Sequence, residues 1–321
     1  MIKSIYMDKG WGVLQQDKEG GETLHFLFER EEGRVVYPFI KRQAGIVDGT
    51  QYYDLVTPRG QGGIWIEQAQ EGKEKVLIHQ FSKAFDDYCA REHIIAEYIR
   101  FSPWLNQAKW FEDDYTISYF GEVYCTDLTT DFFNEAYSSA LRQQIRKAIK
   151  NNVIIRFISN PDFIDEFLRL YQMTSEEQQF SEYYQLDKKF LQRYFDFYPD
   201  KAVFAVALLN EKVISAAMLL VGEDIVHYHF AATDPEYKHL QPNSLLIYEA
   251  ASYGEAYGKR LFDLGSAKAG SNLEKYKKRF TAKVKSYPFY RGTKIRNQAV
   301  YDQLVEQAGD VQEGYFPAYR K

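Results

Sequence analysis

Residues 202–233, AVFAVALLNEKVISAAMLLVGEDIVHYHFAAT, decide the fold. Three apolar runs, AVFAVALL, VISAAMLLV and IVHYHFAAT, are separated only by the short polar interruptions NEK and GED. Interruptions that short leave room for nothing but tight turns, so the runs are antiparallel neighbours in one sheet. Next comes a helix from Asn243 to Tyr257, with Leu246, Ala250 and Tyr253 on one face, Asn243 or Ser244 as cap and Gly258 as stop. RLFDLG at 260–265 is a further strand, SNLEKYKKRF at 271–280 a short helix begun by Ser271 or Asn272, and KVKSYPFYRGTKI at 283–295 a last strand.

Upstream, SALRQQIRKAIKNNV at 139–153 sets Leu141, Ile145 and Ala148 or Ile149 on one stripe, with basic residues opposite and Asn151-Asn152 at a left-handed end. A strand VIIRFIS and a helix from Pro161 follow. The first third echoes this plan: ETLHFLFE, the turn REEG, RVVYPFIKR, a helix around HIIAEYIRF at 93–101, and a strand pair in YTISYFGEVYCTDLT. Two similar units in tandem are the expectation.

At 321 residues the chain has the length of two domains, each able to bury a core, and its 45% hydrophobic and 26% charged content exclude a disordered class. Cys89 and Cys125 are too few for a disulfide framework and are not spaced as a zinc motif, which predicts a reducing compartment. MIKSIYMDKG lacks the apolar run of a signal peptide, and no stretch reaches the roughly 18 apolar residues of a membrane span, so a cytoplasmic protein with at most peripheral membrane contact is expected. A net charge of -5 argues against general nucleic-acid binding. The segment from Lys275 to Arg296 is nevertheless basic throughout, either a solvated face or a wall for the phosphates of a ligand.

Within LFDLGSAKAGSNLEKYKKRF at 261–280, Gly265 and Gly270 have the spacing of a nucleotide-binding P-loop. Ser271 and Asn272 follow where such a loop needs lysine and a hydroxyl residue, so the glycines are read as serving a turn. His227 and His229 form a His-x-His pair, but no third ligand is visible and no metal is expected.

The order of elements resembles the GNAT acyltransferase fold and, more closely, the Fem family of aminoacyl transferases that build peptidoglycan cross-bridges. The resemblance rests on YYDLVTPRGQGG at Tyr52, AEYIRFSPWL at Ala96, LRQQIRKAIKNNV at Leu141, AATDPEYKHLQPNSLLIYEA at Ala231, and the Leu273, Tyr276, Lys277 and Phe280 element. It implies an α/β fold of two tandem GNAT-like domains, with mixed, mostly antiparallel sheets flanked by helices and facing a cleft. On this reading residues 1–135 form the first domain, 136–300 the second, and 301–321 return to the first. The implied activity moves an aminoacyl or other acyl group onto an amine of a cell-wall or cell-envelope precursor, with the acceptor end of an aminoacyl-tRNA as suspected donor.

The resemblance makes Lys277 and Tyr228 the candidate catalytic residues and places Phe230, Tyr276, Lys278, Arg279, Asn243, Lys41 and Arg59 in substrate binding. Strand alternation puts Tyr228 and Phe230 on one face. The chemistry asks for an alkylammonium to lose its proton, costing about 4–5 kcal/mol at neutral pH, and for an oxyanion to be held by donors. Two departures stand out. Glu176 and Glu177 follow Tyr171 and Thr174 where the family often has arginine, and YKHLQPNS has no glycine turn and contains a proline lacking an N–H, which disfavours coenzyme A. The long charged helical hairpin of some family members finds no room between Thr174 and Tyr198. The alternatives are an N-acyltransferase for an amino sugar in surface-polysaccharide synthesis and a non-catalytic binder of glycan or peptide with a degenerate cleft.

Overall fold

The computed structural model describes residues 1–320 apart from 180–183, 268, 282–285 and 310–313. The chain divides into two compact units, one of residues 6–121 and 288–321 with Met1, the other of residues 2–5 and 122–287.

The first unit opens with α1 (Lys9–Glu19), β1 (Glu22–Arg30), β2 (Gly33–Val47), β3 (Thr50–Val56), β4 (Trp65–Ala69), α2 (Glu74–Arg91) and β5 (Ile94–Arg100). β6 (Thr116–Asp127) is one long strand that carries the chain past Gly121, where the units divide. The second unit continues with α3 (Phe132–Glu135), α4 (Ser139–Lys150), β7 (Ile154–Ile158), α5 (Ile164–Gln178), α6 (Lys188–Phe197), β8 (Ala202–Leu209), β9 (Lys212–Val221), β10 (Ile225–Thr233), α7 (Pro242–Ala256), β11 (Leu261–Ala267) and α8 (Asn272–Lys278). β12 (Tyr287–Ile295) and α9 (Gln298–Ala308) return the chain to the first unit.

Both units share one plan. In the second, β7, β8, β9 and β10 pair antiparallel in sequence, β10 then pairs parallel with β11 after the α7 crossover, and β11 pairs antiparallel with β6. In the first, β1, β2 and β3 pair antiparallel, β3 pairs parallel with β5 after α2, and β5 pairs antiparallel with β12. A parallel pair needs a helical crossover, and each unit supplies one.

The second unit's core is α4 and α7 laid on the sheet. Leu141, Ile145 and Ala148 of α4 pack with Leu246, Ala250 and Ala251 of α7 over Val203, Ala217 and Leu219, while Ile149 of the same helix stays exposed. In the first unit Leu77, Phe81 and Phe85 of α2 cover Tyr37, Phe39 and Leu55. The last residues seal that unit: buried Asp54 accepts from Arg42 Nε at 2.7 Å, Tyr319 Oη at 3.0 Å and Arg320 Nε at 2.5 Å.

Four local expectations are corrected. Residues 93–101 are not helical: Ile94 to Arg100 form β5, whose first four residues are all buried because strands flank it on both sides. A strand enclosed that way loses its period of two, and its isoleucines are β-branched. The segment after it is the single strand β6 and not a strand pair. α7 begins with Pro242 after Gln241, one residue before the expected cap, as suits a proline whose missing N–H has no helical partner at that position. β12 begins at Tyr287, and residues 283–285 of the expected strand lie outside the described residues.

Candidate active site

β10 and β11 stay paired only from Ile225 to His227 against Leu261 to Asp263. Beyond that point each strand breaks register. β10 carries an extra residue at His229, since Tyr228 faces Leu219 and Phe230 faces Met218. β11 shifts between Asp263 and Ser266 against β6, around Gly265 at a φ of +75°. A bulge re-aims side chains and bends its strand, and a positive φ is where glycine is at ease. Among the described residues, the pairing of the two strands ends here.

α8 brings Lys277 to this place. Ser271 caps the helix by accepting from Glu274 N at 3.1 Å, and Glu274 reaches back to Gly270 N at 2.7 Å, a close relative of the capping box. Glu274 also accepts from Tyr124 Oη at 2.9 Å and pairs with Lys278, and these bonds hold its carboxyl down at about 2. Phe280 anchors the far end in the core against Tyr137 and Tyr276. Lys277 Nζ then donates to the carbonyl of Ser266 at 2.8 Å. Burial of this ammonium lowers it to about 8, against the opposing pull of Asp263 and Cys125.

A second chain of hydrogen bonds ties the elements together. Tyr228 Oη donates to Asn243 Oδ1 at 2.7 Å, and Asn243 Nδ2 donates to Tyr276 Oη at 3.0 Å. Burial raises both phenols, Tyr276 to about 12 and Tyr228 well above the usual tyrosine range, so both are hydroxyls at neutral pH.

The structure therefore joins Tyr228, Asn243 and Tyr276 by hydrogen bonds, bonds Lys277, the residue after Tyr276, to Ser266, and leaves the other expected residues elsewhere. Tyr228 and Phe230 do not share a face, because the extra residue at His229 turns Phe230 over: Tyr228 packs on the α4/α7 core, while Phe230 is buried against Tyr171 and Tyr194. Lys278 is exposed and paired with Glu274, and Arg279 follows α8, its carbonyl accepting from Ser138 N. Lys41 and Arg59 belong to the first unit, Lys41 paired with Glu92 at 2.7 Å over the Tyr53 ring, and Arg59 in the loop where Trp11 Nε1 meets its carbonyl.

The histidines have other partners: His227 meets Asp263 and Ser4, and His229 meets Tyr194 Oη at 2.8 Å. Lys268 lies outside the described residues. Glu177, standing where arginine was expected, pairs with Lys238.

The basic stretch is divided too. Lys294 pairs with Asp86, and Arg296 with Asp86 and Glu97, beside a first-unit pocket of about 460 Å³. Those cations are already paired with carboxylates. Sequence reasoning missed Asp263 and Ser266 and weighed His227 only as a metal ligand, while Gly265 serves the turn expected of it; the one signal for Asp263 was a strand that ends Asp-Leu-Gly.

Residues 136–278 match the acetyltransferase (GNAT) domain family. No curated protein sequence matches the chain. Among solved structures, FemX superposes with a TM-score of 0.72 at 13% identity, covering 94% of each chain. The C-terminal domain of a putative lysylphosphatidylglycerol synthetase from Agrobacterium fabrum gives 0.57 at 16% identity over 90% of this chain and 88% of that one. A tandem GNAT protein from the clavulanic acid biosynthesis pathway gives 0.51 at 8% identity over 87% of this chain and 84% of that one. Residues 136–278 are thus similar to a GNAT acetyltransferase domain. The chain as a whole shares the fold of FemX and of the tandem GNAT protein.

Proposed function

We propose that the chain moves an aminoacyl group, or another acyl group held as an activated ester, onto an amine of a cell-envelope precursor. The observation that carries this reading is Lys277, a half-buried lysine bonded to the carbonyl of Ser266 on β11, whose burial lowers it to about 8. At neutral pH it is still mostly an ammonium, and in a dry site such a donor stabilises the oxygen of a carbonyl under attack far more than it would in water. The amine attacks the carbonyl carbon, the ester C–O bond breaks, and the proton leaving the amine passes to the departing alkoxide. Positioning supplies much of the remaining barrier. Tyr228, Asn243 and Tyr276 form the rigid side of that site.

The likeness in fold to FemX and to a putative lysylphosphatidylglycerol synthetase supports an aminoacyl donor, and with it the acceptor end of a charged tRNA in the cytoplasm. The start of α7 supports the same choice over coenzyme A. Pro242 has no N–H to offer a pyrophosphate, and the Asn243 side chain is occupied by two tyrosines. No helix among the described residues is long and apolar enough to cross a membrane.

A thermal-shift panel separates the readings. A ligand of the native state at a hundred times its dissociation constant stabilises by about 2.7 kcal/mol. A charged-tRNA mimic and a nucleotide-linked sugar peptide are expected to shift the transition, whereas acetyl-CoA and coenzyme A are not. A shift with acetyl-CoA alone overturns the tRNA donor and favours the amino-sugar alternative; silence across the panel favours a non-catalytic binder.

A further inference from the structure

A carboxylate lies behind Lys277 that nothing in the proposed reaction uses. Asp263 is buried, and its two oxygens are occupied: Oδ2 by His227 Nδ1 at 2.8 Å, Oδ1 by Gly265 N at 2.6 Å with Cys125 Sγ at 3.9 Å. His227, fully buried, is fixed from its other side, with Nε2 3.0 Å from Ser4 Oγ. Facing a carboxylate, Nδ1 carries the proton, so Nε2 accepts from the Ser4 hydroxyl.

Lys277 is near this carboxylate without bonding it. Its Nζ goes to Ser266 O, and a Cβ on Gly265 would stand 3.5 Å from that nitrogen, so the turn that gives its N–H to Asp263 also borders the ammonium. The groups acting on Lys277 are Asp263 from β11 and Cys125 from β6, while Glu274 on its own helix is held by Gly270, Tyr124 and Lys278. A half-buried lysine beside a free carboxylate would form an ion pair with it, which strengthens its hold on the proton and engages its cation with that partner.

We propose that His227 is a positioning residue for Lys277: by occupying the Asp263 carboxylate, it keeps that group beside Lys277 without an ion pair, so the lysine cation stays available to a substrate oxygen. The use of that cation rests on the acyl-transfer reading; the arrangement of the four side chains does not.

The test is an NMR titration of the full chain labelled at lysine, with the Lys277 resonance identified by its disappearance in Lys277→Arg. The wild-type midpoint is expected near 8. Asp263→Asn removes the negative charge and lowers the midpoint. His227→Asn keeps an N–H donor where Nδ1 stood and leaves the midpoint close to wild type. His227→Gln has no donor there, frees Asp263 to pair with Lys277, and raises the midpoint by about one unit toward the usual lysine value. A His227→Gln midpoint equal to wild type, or an Asp263→Asn midpoint that does not fall, overturns the proposal. Should His227→Gln not fold, Asp263→Asn alone decides. Midpoints as stated support the positioning even where no acyl transfer is detected, an outcome that instead overturns the reading of the reaction.

Discussion

The carbonyl of Ser266 accepts a hydrogen bond from Lys277 Nζ at 2.8 Å, across the turn that Gly265 makes at a φ of +75°. This bond holds a half-buried lysine. Burial lowers the Lys277 ammonium from 10.5 to about 8, so the folded state favours the neutral amine. Below the folded value the ammonium is charged in both states and its burial penalty is fully present. As pH rises from about 8 through 10.5, the unfolded chain holds the extra proton and stability increases.

Lys277→Met is therefore expected to be more stable than wild type at pH 7, by about 2 kcal/mol after allowing for the lost hydrogen bond. The advantage is expected to shrink as pH rises above 8. Urea unfolding of both proteins at pH 7 and pH 9.5 measures it. A methionine variant less stable than wild type at pH 7 would show that Lys277 serves the fold.

Asn243 satisfies two tyrosine hydroxyls at once. Tyr228→Phe deletes one bond and leaves Asn243 Oδ1 without its donor, at a cost of about 1–3 kcal/mol. Asn243→Ala strips the partner from both tyrosines and is expected to cost more than Tyr228→Phe. Urea midpoints that fall in that order with unchanged slopes support the chain of bonds; equal midpoints contradict it.

Asp54 holds the last residues in the first unit through Tyr319 and Arg320 while also pairing with Arg42. Asp54→Ala leaves a guanidinium buried without its carboxylate and is expected to cost about 3–5 kcal/mol. Tyr319→Phe removes a single hydroxyl and is expected to cost about 1 kcal/mol. Limited proteolysis near the C-terminus should accelerate in the first variant and barely change in the second.

The parts of this fold that were legible in sequence are those where local pattern and tertiary role coincide. The strands of 202–233 are apolar runs with turns too short for anything but antiparallel pairing, and α4 shows its stripe at Leu141, Ile145 and Ala148. β5 was misread because a strand covered on both sides has no alternation to display. Lys277, Tyr228, Asn243 and Tyr276 could be named from sequence, but the hydrogen bonds that join the last three could not. The bulge at His229, which turns Phe230 away, has no marker in composition or spacing. The role of Asp263 was hidden for a related reason: a single aspartate in an apolar strand says nothing of the histidine and glycine that hold it.

In the proposed reaction Lys277 acts on the reacting carbonyl. The most direct measurement of this role is single-turnover transfer of a radiolabelled aminoacyl group from charged tRNA to an amine-bearing cell-envelope precursor, comparing wild type with Lys277→Ala. Transfer by the wild type is expected, with a loss of roughly 10²–10³-fold in the variant, as for removal of an oxyanion donor, and with its folded circular-dichroism spectrum retained. Equal rates in the two proteins would contradict this role.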